Sequence, residues 1–229
     1  MHCNQWLAAG AVALIVVSAG AAETKRAPLK AAGSIDLTDP AGDVSPIHTS
    51  DGANYPGFDV MKLSVKSDGK QIAFVATLKD PPGPFASRVI ELYFDVDNNA
   101  TSGTSLSFPP ADGFEYAADL SACVDYTDGS SACGGGSKAK PKSHWAAINL
   151  SRYKGKKEFE GKDTVVDSMG FPGAKPSPKA PITTNIVQGT IDYADLKVKP
   201  GQTIRMLIQE SHGKDMDASL FPEILLTLK

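Results

Sequence analysis

Asp95-Val96-Asp97-Asn98-Asn99 is the stretch of this chain best suited to chemistry, because Asp95, Asp97 and Asn99 stand at alternate positions. A tight loop with that spacing can turn all three oxygen-bearing side chains toward one point. Calcium takes about six to eight oxygens of this kind, mainly from carboxylates and amide carbonyls. The stretch is not the helix-flanked calcium loop, since Ala100 stands where that loop needs glycine and Leu106 where it needs a bidentate Glu. A polar hairpin turn is the other reading, because Asp and Asn tolerate turn conformations. On the residues alone both stay open.

The apolar run 89–94 leads straight into this loop and reads as the strand that positions it. Further short runs rich in Val, Ile, Phe and Thr lie at 58–65, 71–78, 114–120, 144–150, 164–169, 186–191, 203–209 and 223–228. They have strand lengths and are bounded by Gly, Pro and Asp. Asp68-Gly69 between two of them is a hairpin-turn signal. Helical periodicity is nearly absent, so the expected fold is all-β: a single-domain antiparallel β-sandwich over residues 34–229. The Gly- and Lys-rich stretch 134–141 and the Pro-rich stretch 171–184 read as loops on that domain.

Residues 1–21 read as an export signal. Leu7 to Val17 is apolar but short for a bilayer span, and Ala19-Gly20-Ala21 offers a small-residue cleavage site. The mature chain is then expected to be secreted or periplasmic, to begin with a disordered leader over 22–33, and to carry no membrane span. Cys123 and Cys133 are the two cysteines left, and in an exported protein they are expected to form a disulfide. Net charge is −3 with interspersed Asp and Lys, which argues against nucleic acid as a partner. A monomer is expected.

Several separated motifs then fall into order: Asp39-Pro40-Ala41-Gly42-Asp43, Tyr55-Pro56-Gly57-Phe58-Asp59-Val60, the Phe94–Gly103 stretch, and Ile191-Asp192-Tyr193-Ala194-Asp195-Leu196 before Pro200-Gly201. Together they resemble the family-nine carbohydrate-binding modules and the related DOMON-like sandwich domains. The resemblance implies a jelly-roll-like sandwich with a structural calcium near one end, with Asp39, Asp43 and Asp59 at the group's acidic positions. It also implies a glycan or cell-surface ligand held against aromatic faces. Trp145, Tyr55 and Tyr126 are the candidate ligand-binding residues, with Phe58 and Phe108 as further loop or edge aromatics.

Catalysis is not expected. The chain has no Gly-x-Ser-x-Gly elbow, no His-Glu-x-x-His and no phosphate-cradling glycine loop. Glu91 with Glu115 could mimic a glycosidase dyad, which keeps a secreted hydrolase as one alternative. Some DOMON-like domains hold haem through Met and His or Lys, so an electron-transfer domain using Met61, Met206, Met216 and His212 is the other.

Overall fold

In Gln71–Leu78 the residues Ile72, Phe74, Ala76 and Leu78 are buried, while those between them are only partly covered. That period of two buries one face of a strand and leaves the other toward solvent. The same alternation builds most of this protein, a computed structural model that describes residues 27–39, 42, 47–48, 54–55, 58–82, 86–107, 110–133, 139–153, 180–182, 184–210 and 221–229.

The strands in chain order are β1 (Leu29–Ala32), β2 (Ser34–Thr38), β3 (Ile47–His48), β4 (Asn54–Tyr55), β5 (Val60–Ser67), β6 (Gln71–Leu78), β7 (Ser87–Asp95) and β8 (Thr104–Ser107). They continue as β9 (Pro110–Phe114), β10 (Tyr116–Tyr126), β11 (Ser131–Ala132), β12 (Pro141–Arg152), β13 (Ala180–Ile182), β14 (Ile186–Asp192), β15 (Thr203–Glu210) and β16 (Ile224–Thr227). One helical turn, α1 (Tyr193–Leu196), follows β14.

The larger sheet runs β1-β16-β15-β7-β10-β12-β13 with β11 beside β10, and the smaller runs β14-β6-β5-β2. Every pairing in them is antiparallel except β1 with β16. Their inner faces share one core, in which Phe74 of the smaller sheet meets Phe94 of the larger edge-on at 6.1 Å between centroids. The chain is thus the all-β sandwich that its periodicity implies.

Three departures have local causes. Leu29–Ala32, inside the stretch expected to be a disordered leader, pairs in parallel with Ile224–Thr227. The outer edge of β16 offers unpaired N–H and C=O groups that template such an addition. Ala180–Ile182, inside an expected loop, pairs with β12 as the edge strand of the larger sheet, where Pro181 costs no ladder bond. The single run expected over 114–120 is two strands that break at Glu115. The expected export signal and the strand expected over 164–169 lie outside the described residues.

A disulfide joins Cys123 of β10 to Cys133, just beyond β11, a sequence separation of 10. Closing a loop of that size restricts the unfolded chain and contributes about 3 kcal/mol. A Cys123→Ser/Cys133→Ser double variant should therefore show a lower urea midpoint than the oxidised parent, and the reduced parent should match the variant. Identical midpoints for all three would contradict this.

Candidate metal centre

β7 ends on Asp95, which is buried, and the chain turns immediately. Asn98 takes a positive φ of 53°, a conformation for which Asn is among the best side chains. The turn aims the Asn99 N–H at Asp95 Oδ1 (3.2 Å) and Asp97 Oδ1 (3.0 Å), drawing both carboxylates to one side. Glu115 arrives from the break between β9 and β10. Its N–H donates to the Phe94 carbonyl (3.0 Å), and its Oε2 accepts from the Val96 N–H (2.9 Å). Ser102 Oγ lies 2.8 Å from both Asp97 Oδ1 and Glu115 Oε1, bridging the two sides. Gly103, at φ 60°, lets the loop close on Phe114, because a Cβ there would fall 2.5 Å from the Phe114 backbone.

One oxygen each from Asp95, Asp97 and Glu115 then lies within 4.8 Å of the others. Arg205 of β15 approaches Asp95 Oδ2 through Nε (2.9 Å) and Nη2 (2.8 Å), its guanidinium lying 4.7 Å from the Phe114 ring centroid. Arg205 Nη1 also lies 3.9 Å from Glu223 Oε2, so four carboxylates and one guanidinium leave −4 + 1 = −3 around Arg205. Burial pushes the pKa of both Asp95 and Glu115 up; the Asp97 charge raises both further, while Arg205 pulls Asp95 back. The excess negative charge and the all-oxygen donor set suit a hard divalent cation such as calcium, not a soft metal.

The expected loop ligands are thus only partly gathered. Asp95 and Asp97 converge, but Asn99 Oδ1 accepts from the Thr101 N–H (3.0 Å) and Oγ1 (2.8 Å), so this side chain shapes the turn. Glu115 takes the third place.

Two further buried carboxylates, Glu210 and Asp59, lie away from this cluster; among the described residues only Asp95, Asp97 and Glu115 gather three such oxygens. Glu210, the last residue of β15, is 1% exposed and reaches from the larger sheet to the smaller, where Oε1 accepts the Val60 N–H at 2.8 Å. Asp59, 6% exposed, accepts the Gly42 N–H on Oδ2 at 2.8 Å, with Lys79 Nζ 3.7 Å away. Its Oδ1 is buried with no hydrogen-bond partner. The Asp39 N–H donates to the Met61 carbonyl (3.2 Å). Buried carboxylate oxygen without compensation is costly, and a cation bound by oxygen ligands would supply it. Asp43 lies outside the described residues. Arg205 and Glu210 are five residues apart on one strand, about 17 Å at strand rise, so Glu210 is not part of the Asp95 cluster.

The aromatic candidates fare differently. Tyr126 is not a ligand platform: it is 2% exposed and packs on Ala86 and Val124, as the inward member of the alternation in β10. Trp145 is half-buried opposite Cys123, and its Nε1 donates to Asp125 Oδ1 (3.0 Å). The Tyr55 backbone pairs with Ile47, but its side chain lies outside the described residues.

Met61 is half-buried, and Met206 is fully buried in the shared core, in register with Phe94 and Ile224. Met216 and His212 lie outside the described residues. Glu91 and Glu115 have different partners, and strand rise sets their rows about 13 Å apart, beyond the carboxylate spacing of about 5–10 Å in glycosidases. Among the described residues no helix is long and apolar enough to cross a membrane. No family model matches the chain, and no curated protein or solved structure matches it.

Proposed function

We propose that this chain is a non-catalytic, exported binding module whose β-sandwich is held at its ends by calcium, with carbohydrate as the leading ligand class. The observation that carries this reading is the convergence of Asp95, Asp97 and Glu115 with a net negative charge even after Arg205, which also faces Glu223, is counted. Asp59, with Oδ1 buried and unpartnered, and Glu210 support a second cation at the opposite end. Calcium there would cancel repulsion between carboxylates and tie loops to strands, and Glu210 would link the two sheets. It would perform no chemistry. The disulfide fits an oxidising compartment outside the cytosol.

The test is thermal melting of the disulfide-intact protein in chelator and in calcium. Calcium at a hundred times its dissociation constant stabilises a single-site protein by about 2.7 kcal/mol, which moves the melting temperature by about 2–4 °C per kcal/mol for a domain this large. A rise of several degrees is expected. Coincident melts would remove the cation from the account.

A further inference from the structure

We infer that Arg205 relays cation binding at Asp95, Asp97 and Glu115 to the edge strand β1, so that calcium fastens Leu29–Ala32 to the larger sheet. This rests on the calcium reading above and gives the ion control over a strand three places away in the sheet.

The sheet order β1-β16-β15-β7 puts the parts of the relay on neighbouring strands. Asp95 Oδ2, at the end of β7, faces Arg205 Nε at 2.9 Å and Nη2 at 2.8 Å. On the other side of Arg205, Nη1 lies 3.9 Å from Oε2 of Glu223, the residue just before β16. The Glu223 carbonyl accepts the N–H of Leu29, the first residue of β1, at 2.7 Å. One guanidinium is thus shared between a carboxylate of the cation cluster and the residue on which β1 begins. The Arg205 and Glu223 side chains are 12% and 14% exposed, so water and salt screen this pair weakly.

The sharing is unequal: Arg205 makes two close contacts with Asp95 and one long contact with Glu223. Once a cation takes up the Asp95 charge, the guanidinium loses attraction on that side and meets repulsion from the ion. Glu223 is the carboxylate on its other side, so Nη1 closes on Oε2 and fixes the start of β16. β1 is the strand on which a small gain shows. It has four residues, is largely exposed, and joins β16 in parallel, the slightly weaker mode of pairing. Its far end is anchored by Gly33, whose N–H donates to the Thr227 carbonyl at 2.8 Å, while its near end depends on Glu223. Local opening of such an edge costs little. By linkage, docked β1 raises cation affinity by the same factor as the cation favours docking.

Hydrogen exchange of the disulfide-intact protein in chelator and in millimolar calcium tests the relay, beside calorimetry of calcium binding. The amides of Leu29–Ala32 should exchange about fivefold more slowly in calcium, at the low end of typical coupling between sites. Those of Ala180 and Ile182, on the edge strand at the other end of the sheet, should not change. Glu223→Gln keeps the carbonyl that holds Leu29 and removes the charge that attracts Arg205, so it should bind calcium without the slowing. Melting in chelator confirms that this variant folds, and the two edge strands of the parent decide the matter even if it does not. Calcium binding with unchanged exchange at Leu29–Ala32, equal slowing at Ala180 and Ile182, or full slowing in Glu223→Gln would each overturn the relay and leave the cation standing. A parent that binds no calcium would overturn both.

Discussion

Arg205→Met should lower the stability of the calcium-free protein by about 3–5 kcal/mol, the usual cost of removing one partner of a buried ion pair. The Asp95 side chain is 1% exposed and that of Arg205 12%, so neither is screened by water as a surface pair would be. Without the guanidinium, Asp95 would face Asp97 and Glu115 with no opposing charge. Burial already raises its pKa, and the variant should raise it further until part of the cost is relieved by protonation. Calcium enters on the same side of the balance as Arg205. The variant should therefore recover more stability from calcium than the parent does. Urea unfolding of both proteins, in chelator and in calcium, measures this directly. A loss below 1 kcal/mol in chelator, or equal calcium gains for the two proteins, would count against the site.

Glu210→Ala should be comparably severe, for a different reason. It removes the acceptor of the buried Val60 N–H, a loss of about 1–3 kcal/mol. If the proposed second cation is held by Glu210, it also removes a calcium stabilisation of about 2.7 kcal/mol at a hundredfold excess over the dissociation constant. Glu210→Gln separates these contributions, because the amide oxygen can still accept from Val60 while the charge is gone. Alanine should be destabilised in both chelator and calcium. Glutamine should lie near the parent in chelator and fall behind it in calcium. If glutamine responds to calcium as the parent does, Glu210 is a structural hydrogen-bond acceptor and not a ligand.

The strands were legible because burial on one face writes a period of two into the residues. The expected run 71–78 coincides with β6, whose inward Ile72, Phe74, Ala76 and Leu78 alternate with half-exposed neighbours. β1 was illegible for the opposite reason. Leu29–Ala32 is largely exposed and owes its conformation to the free edge of β16, a partner almost two hundred positions away.

The convergence of Asp95 and Asp97 was legible because their spacing is local. Glu115 was not, since its place depends on a chain break after Phe114 and on the pairing of Tyr116 with Phe94. Glu210 was hidden further, as the last residue of a strand in one sheet that serves the first residue of a strand in the other. Tyr126 misled because Asp125 and Asp128 around it suggest a turn, whereas β10 runs through to Tyr126 and buries it.

Calorimetric titration of calcium into the chelator-stripped, disulfide-intact protein tests the central claim most directly, because it counts ions. If the proposed second cation is bound near Glu210, two equivalents are expected for the parent and one each for Asp97→Asn and Glu210→Gln, since Arg205 and Glu210 lie about 17 Å apart along β15. No binding at millimolar calcium would contradict the account. So would two equivalents retained by both variants, which would leave these carboxylates as parts of turns and strand ends alone.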